Sequence, residues 1–245
     1  MSSRAQAGEA SRRQTDAEAE LESLANPEDA LFLQRFFKTA AGQYGEGDRF
    51  LGIRVPVLRR LAKKYGTLPL DEVSRLLHAP FHEARLLALL ILVRIYDRGD
   101  AALREQLFTF YLENTACINN WDLVDASAEH IVGRHLRGGS VRPLVRLARS
   151  KVVWERRIAI IATYHFIKLG TLAPTLQIAE LLLGDSHDLI HKAVGWMLRE
   201  VGKRDRQAAE DFLRSHCRSM PRTMLRYAIE RFPPELRRAY LRGDV

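Results

Sequence analysis

A chain of 245 residues with 47% hydrophobic and 28% charged side chains can bury a sizeable core, which excludes a mostly disordered polypeptide. The formal net charge of +8 points towards a polyanionic partner, although a solvated arginine-rich surface would give the same number. Two cysteines, Cys117 and Cys217, suggest neither a disulfide framework nor a thiolate zinc site. No signal-peptide core and no apolar run approaching ~18 residues is present, so a soluble protein of the cytoplasm is expected, nucleoid-associated if bacterial.

Residues 1–25 are small, polar and charged and are expected to form a disordered tail, with at most a transient helix over Asp16 to Leu24. Residues 26–245 are expected to form one helical domain. The helical pattern begins at Asp29 and is interrupted by a glycine-rich turn from Gly42 to Asp48, before Phe50, Leu51, Gly52 and Ile53. Pro56 sits where a first helical turn tolerates proline and opens a helix over Val57 to Tyr65. Longer helical patterns follow at Phe81 to Tyr96, Trp121 to Leu136, Val152 to Leu169 and Leu189 to Val201, divided by short Gly, Pro, Asp and Ser breaks, and no strand pattern competes.

Three of these helices carry a basic residue at the same place: Arg85, Arg157 and Lys192, separated by 72 and 35 positions, a ratio near two. A helix pair recurring every ~35 to 40 residues is the mark of a HEAT-like repeat. The expected fold is therefore all-α, an α-solenoid of HEAT-like helical repeats whose second helices line a concave face. A generic helical bundle with coincidental spacing is the alternative. Basic residues also succeed one another in the C-terminal part, from Arg199 and Lys203 to Arg222 and Arg226.

Trp121 and Asp125 stand four apart at a helix start, so they project from one face. Arg157 follows Trp121 by 36 positions, and Trp196 follows Arg157 by another 39, placing all four on consecutive second helices of a solenoid. An aromatic, a carboxylate, an arginine and a second aromatic would then share one groove. Plainer roles compete: a core tryptophan, caps or first-turn carboxylates for Asp122 and Asp125, and an ion pair to Glu155 or a neighbouring helix for Arg157. Trp154 is assigned to packing. His187 and His191 have the spacing of a helix-borne zinc pair, but no third ligand stands out, and a surface or capping role is preferred.

Phe50 to Ile53 with Pro56, Trp121 to Asp125, Trp154 to Arg157 and Lys192 to Glu200, taken together and in order, resemble the AlkD-type DNA alkylation-repair glycosylases. The resemblance spans roughly residues 28–232. It implies Asp125 as the catalytic carboxylate, Trp121 and Trp196 as aromatic walls, and Arg157 beside the damaged strand, gripping a phosphate. It also implies DNA contacts by Arg59, Lys63, Lys192 and Arg199, and a tyrosine contact for which Tyr44 lies one position out of register. The implied activity is hydrolysis of the N-glycosidic bond of N7-alkylguanine or N3-alkyladenine in duplex DNA, by a monomer with no cofactor and no membrane association, with little action on uracil. Two other classes remain at this stage: a helical-repeat protein that binds DNA structures without catalysis, and a protein–protein adaptor.

Overall fold

The computed structural model describes residues 16–245. Among these the chain is helical, with no β-strand and one isolated bridge between Arg49 and Phe81. Its contacts divide it into two compact units that meet in sequence at Ile95 and Tyr96.

In the first unit, α1 (Asp16–Ser23) and α2 (Pro27–Gln34) precede the glycine-rich turn. The expected tail lies outside the described residues up to position 15; beyond it, the chain is packed rather than trailing. Ala17 and Leu21, one helical turn apart, are fully buried, and Glu20 accepts hydrogen bonds from Lys64 Nζ and Tyr65 Oη. Two apolar side chains on one helix face suffice once another element offers them a surface, which composition does not register. Helix α2 starts before Asp29 because Asn26 caps it, its Oδ1 accepting from the backbone N–H of Glu28 and Asp29.

Helices α3 (Val55–Lys64), α4 (Leu70–Leu77) and α5 (His82–Arg98) follow. The Phe50 to Ile53 stretch is neither helix nor strand, and its backbone is held by one buried carboxylate. Glu83 accepts from the N–H groups of Leu51, Gly52 and Ile53 at 2.9, 2.8 and 3.2 Å. Two residues on, Arg85 donates to Asp48 of the glycine-rich turn at 2.5 Å. Without Glu83 these three backbone amides would be unsatisfied, at about 1–3 kcal/mol each.

The second unit contains α6 (Ala101–Glu113), α7 (Trp121–Asp125), α8 (Arg142–Ala148), α9 (Val153–Ala162), α10 (Tyr164–Lys168), α11 (Ala173–Leu181), α12 (Asp188–Arg204), α13 (Arg206–His216), α14 (Arg222–Ala228) and α15 (Pro234–Arg242). They stack pair upon pair, as repeats of a helical solenoid do: α8 with α9, α11 with α12 and α13 with α12. The second helices form their own series, α7 on α9, α9 on α12 and α12 on α14.

Two long helices expected from the sequence are interrupted. The Trp121 to Leu136 pattern closes α7 after five residues and continues through a turn of π-helix at Glu129–Gly133. The Val152 to Leu169 pattern breaks at Thr163, whose hydroxyl donates back to the Ile160 carbonyl at 2.6 Å.

The stacking requires close approach. A Cβ on Gly133 would lie 2.1 Å from the Ala162 carbonyl oxygen, and one on Gly195 would lie 2.5 Å from that of Met224. A methyl group at either point would push one second helix off the next. Gly133→Ala should therefore cost about 1–3 kcal/mol in urea unfolding despite alanine's better helix propensity. Gly184→Ala, where the added methyl meets open space, should stay within ~0.5 kcal/mol of the parent.

Candidate functional site

The short helix α7 is anchored on both sides of its first turn. Asn120 Oδ1 accepts from the Trp121 N–H at 2.8 Å, and Asp122 Oδ1 accepts from the Leu123 N–H at 2.9 Å. Asp122 thus serves the helix start, the plainer role considered for both aspartates. Beneath the helix, the Ser127 hydroxyl donates to the Leu123 carbonyl at 2.6 Å. Its one proton is spent there, so the buried Tyr111 hydroxyl donates to Ser127 at 2.9 Å. Tyr111 and Ser127 are both fully buried, and they fix the turn that presents Asp125.

Asp125 reaches across to α9. Arg157 Nε donates to its Oδ1 at 2.9 Å and Nη2 donates to its Oδ2 at 2.7 Å, a two-pronged pair, while Nη1 donates to the Leu189 carbonyl in the first turn of α12 at 2.7 Å. One guanidinium ties three successive second helices together. This revises the role inferred for Arg157: with its donors turned to Asp125 and Leu189 and its side chain buried, it is not presented to grip a phosphate. It fixes Asp125 instead.

Orientation separates this pair from two others of the same chemistry. In Asp48–Arg85 the acid side chain is 2% exposed and the arginine 10%; in Asp185–Arg156 the values are 5% and 16%. There the acid lies inside and the arginine outside, as in a structural tie. In Asp125–Arg157 the order is reversed, with Asp125 19% exposed and Arg157 6%. Each carboxylate oxygen gives one lone pair to Arg157 and keeps another for an outside donor. Burial pushes the Asp125 carboxyl above its ordinary value, and the Arg157 charge opposes that shift. Two N–H donors, one facing each oxygen, match the ionised form.

Trp121, half-buried, lies one turn before Asp125 on the same face of α7. On α12, Trp196 follows Leu189 by seven residues, two turns and about 10 Å along the axis on the same stripe. Its half-buried indole donates Nε1–H to Glu200 at 3.2 Å and packs against Tyr164, with ring centroids 5.9 Å apart. Tyr164 itself stands seven residues after Arg157 and carries the Lys168 ammonium 4.4 Å above its ring, and Lys168 pairs with the buried Glu129. Tyr164, Lys168, Glu129 and Glu200 were not singled out in the sequence. The i+4 and i+7 spacings from Asp125, Arg157 and Trp196 were the available signal.

Among the remaining candidates, Lys192 is half-exposed and pairs with Asp188 at 2.7 Å, and Arg199 pairs with Glu230. Arg59 and Lys63, in the first unit, are exposed one turn apart on α3, and Tyr44 is half-buried in the glycine-rich turn. Trp154 is buried, in keeping with packing. His187 caps α12, its Nδ1 accepting from the Leu189 N–H at 3.2 Å, and the His191 ring lies 2.5 Å from the Asp185 carbonyl.

The model of the DNA alkylation repair enzyme family matches residues 17–232, and the chain belongs to that family. Its fold is similar to the solved structure of a predicted DNA alkylation repair enzyme from Enterococcus faecalis, with a TM-score of 0.65 and 17% identity over 86% of this chain and 97% of that one. No curated protein matches significantly. The family supports a role in the repair of alkylated DNA.

Removing Arg157 would leave a largely buried carboxylate without its counter-ion and release the tie to α12. Arg157→Met should lower unfolding free energy by about 3 kcal/mol. Asp125→Asn, which keeps an amide oxygen for Arg157, should cost less, and equal losses in urea titrations of the two variants would contradict the asymmetry described here.

Proposed function

We propose that the chain is a DNA glycosylase that hydrolyses the N-glycosidic bond of positively charged alkylated purines in duplex DNA. The observation that carries this reading is the reversed Asp125–Arg157 pair: a carboxylate held from behind by two hydrogen bonds and more exposed than its arginine, with Trp121 one turn before it on α7 and Trp196 on α12, the helix whose Leu189 carbonyl the same guanidinium holds.

Alkylation at N7 of guanine or N3 of adenine makes the base a cation, so it leaves readily. The C1′–N bond breaks with its electron pair going to the base, which departs neutral, while positive charge builds on the deoxyribose as in glycoside hydrolysis. Asp125 is suited to stabilise that charge and to orient a water molecule. The water oxygen bonds to C1′ and its surplus proton passes to the carboxylate or to solvent. The indole faces of Trp121 and Trp196 attract cations by roughly 0.5–2 kcal/mol each. Selectivity then follows from the charge and lability of the base, so a neutral lesion such as uracil gains little from the same groups.

Lys192, Arg199, Arg59, Lys63 and Tyr44 are proposed as DNA contacts. For Lys192 and Arg199 this requires exchange of an acidic partner, Asp188 or Glu230, for a phosphate.

The test is base release from methylated duplex DNA. Asp125→Asn should lower the single-turnover rate by about two to three powers of ten, the usual worth of a preorganised charged group. Trp121→Ala should lower it as well, and uracil-containing duplex should remain uncut by the parent. Release at parental rate from Asp125→Asn would remove the carboxylate from the chemistry.

The pH dependence follows from the direction of the Asp125 shift. Its carboxyl is raised by burial and acts when ionised, so activity should appear only as pH rises through that elevated value. The acid limb of the rate profile should therefore lie above the ordinary aspartate range, and Asp125→Asn should abolish that limb. A limb at ordinary aspartate pH would place the essential acid elsewhere.

A further inference from the structure

Glu200 is a buried carboxylate that the chemistry above leaves without a task. It is 7% exposed and lies one turn beyond Trp196 on α12. Its Oε1 accepts the indole Nε1–H at 3.2 Å, and Lys203 Nζ approaches Oε1 and Oε2 at 2.7 and 2.9 Å. Arg199 Nε stands 3.6 Å from the same Oε1 while its guanidinium pairs with Glu230. The indole is thus gripped at its N–H edge by Glu200 and along its ring by Tyr164.

We propose that Glu200 is a positioning residue for Trp196, holding the indole in the orientation that offers its face to a cationic nucleotide. The inference rests on the glycosylase reading for its consequence, though not for its geometry. An indole has one donor, and anchoring it removes the rotation that a half-buried tryptophan would otherwise have about two side-chain torsions. A ring fixed before the substrate arrives pays no ordering entropy on contact. Donation to a carboxylate also pushes electron density into the ring, which makes its face a better partner for positive charge. Lys203, half-exposed, balances the Glu200 charge, so the acid can stay buried beside the ring.

The inference is tested with the full chain and two DNA duplexes identical except at one position. One carries a cationic pyrrolidine in place of a nucleoside and the other a neutral tetrahydrofuran. The readout is the ratio of the two affinities, which a general loss of fold or of DNA binding does not move. The parent should prefer the cationic duplex. Glu200→Ala, which removes a buried charge and leaves the half-exposed Lys203 without its partner while Arg199 keeps Glu230, should fold and should lose about fivefold of that preference. Its affinity for the neutral duplex should not fall, since loss of an acid leaves Lys203 to the polyanion.

Glu200→Gln, which keeps an oxygen for the indole N–H, should recover most of the preference. In a Trp196→Phe background, Glu200→Ala should have no further effect. An equal loss on both duplexes, or the same loss in the phenylalanine background, would overturn the role of Glu200.

A second measurement separates this inference from the function it rests on. In the free protein the Trp196 indole N–H, identified as the proton resonance missing from Trp196→Phe, should exchange slowly and move upfield in Glu200→Ala. An unmoved resonance overturns the positioning role. A parent protein with a shifted resonance but no preference between the duplexes overturns the glycosylase reading and leaves Glu200's grip on the ring standing.

Discussion

The double hydrogen bond between Arg157 and Asp125 is the interaction on which the second unit's functional face depends. It is not an economical way to gain stability, because two groups are taken out of water and their mutual attraction does little more than return the cost. What it supplies is position. The guanidinium spends Nε and Nη2 on Asp125 and Nη1 on the Leu189 carbonyl, so α7, α9 and α12 are registered against each other by one side chain. A five-residue helix such as α7 would not hold Asp125 in place by its own backbone.

The same device occurs elsewhere with another outcome. Arg85, Arg157 and Lys192 occupy one place in the repeat, and each meets an aspartate: Asp48, Asp125 and Asp188. The first pair is sealed around the glycine-rich turn, the second presents its acid outward, and the third lies within a single helix and is open to solvent. A repeat architecture supplies the cation at a fixed place, and what surrounds the partner decides its use. Asp48 is enclosed with Arg85 and the His82 ring, which stacks on Phe50, whereas Asp125 has half-buried Trp121 one turn before it on its own face.

This explains how far the sequence could be read. The recurring cation was visible because helical repeats conserve place along the chain, and so were the helical class and the Trp121–Asp125 face. The acids were not visible as partners, since they precede their cations by 37, 32 and 4 positions and no period links them. Arg157 looked like a phosphate ligand because an arginine's partner is a matter of three-dimensional neighbours, and here they lie on helices before and after its own. Tyr164 escaped for the same reason, its ring meeting Trp196 between helices, whereas Glu200 stands one turn beyond Trp196 on α12 and is set apart from other helical carboxylates only by its hold on the indole. Helix α1 was legible only as a transient helix because a charged segment with Ala17 and Leu21 on one face is polar in composition and amphipathic in space.

Pairing also answers an electrostatic difficulty in the proposed chemistry. A bare carboxylate about 6 Å from a phosphate would repel it by roughly 3 kcal/mol at an effective dielectric of ~20, and a DNA-binding face cannot carry several of those. On this face Asp125 is matched by Arg157, Glu129 by Lys168 and Glu200 by Lys203. At phosphate distance each pair acts as a dipole and its field falls away quickly. At contact distance the outward oxygens of Asp125 still act as a charge, because Arg157 lies behind them. A group built this way tolerates the polyanion that must approach it and still stabilises a cation formed against it, which neither a lone acid nor a sealed ion pair would do.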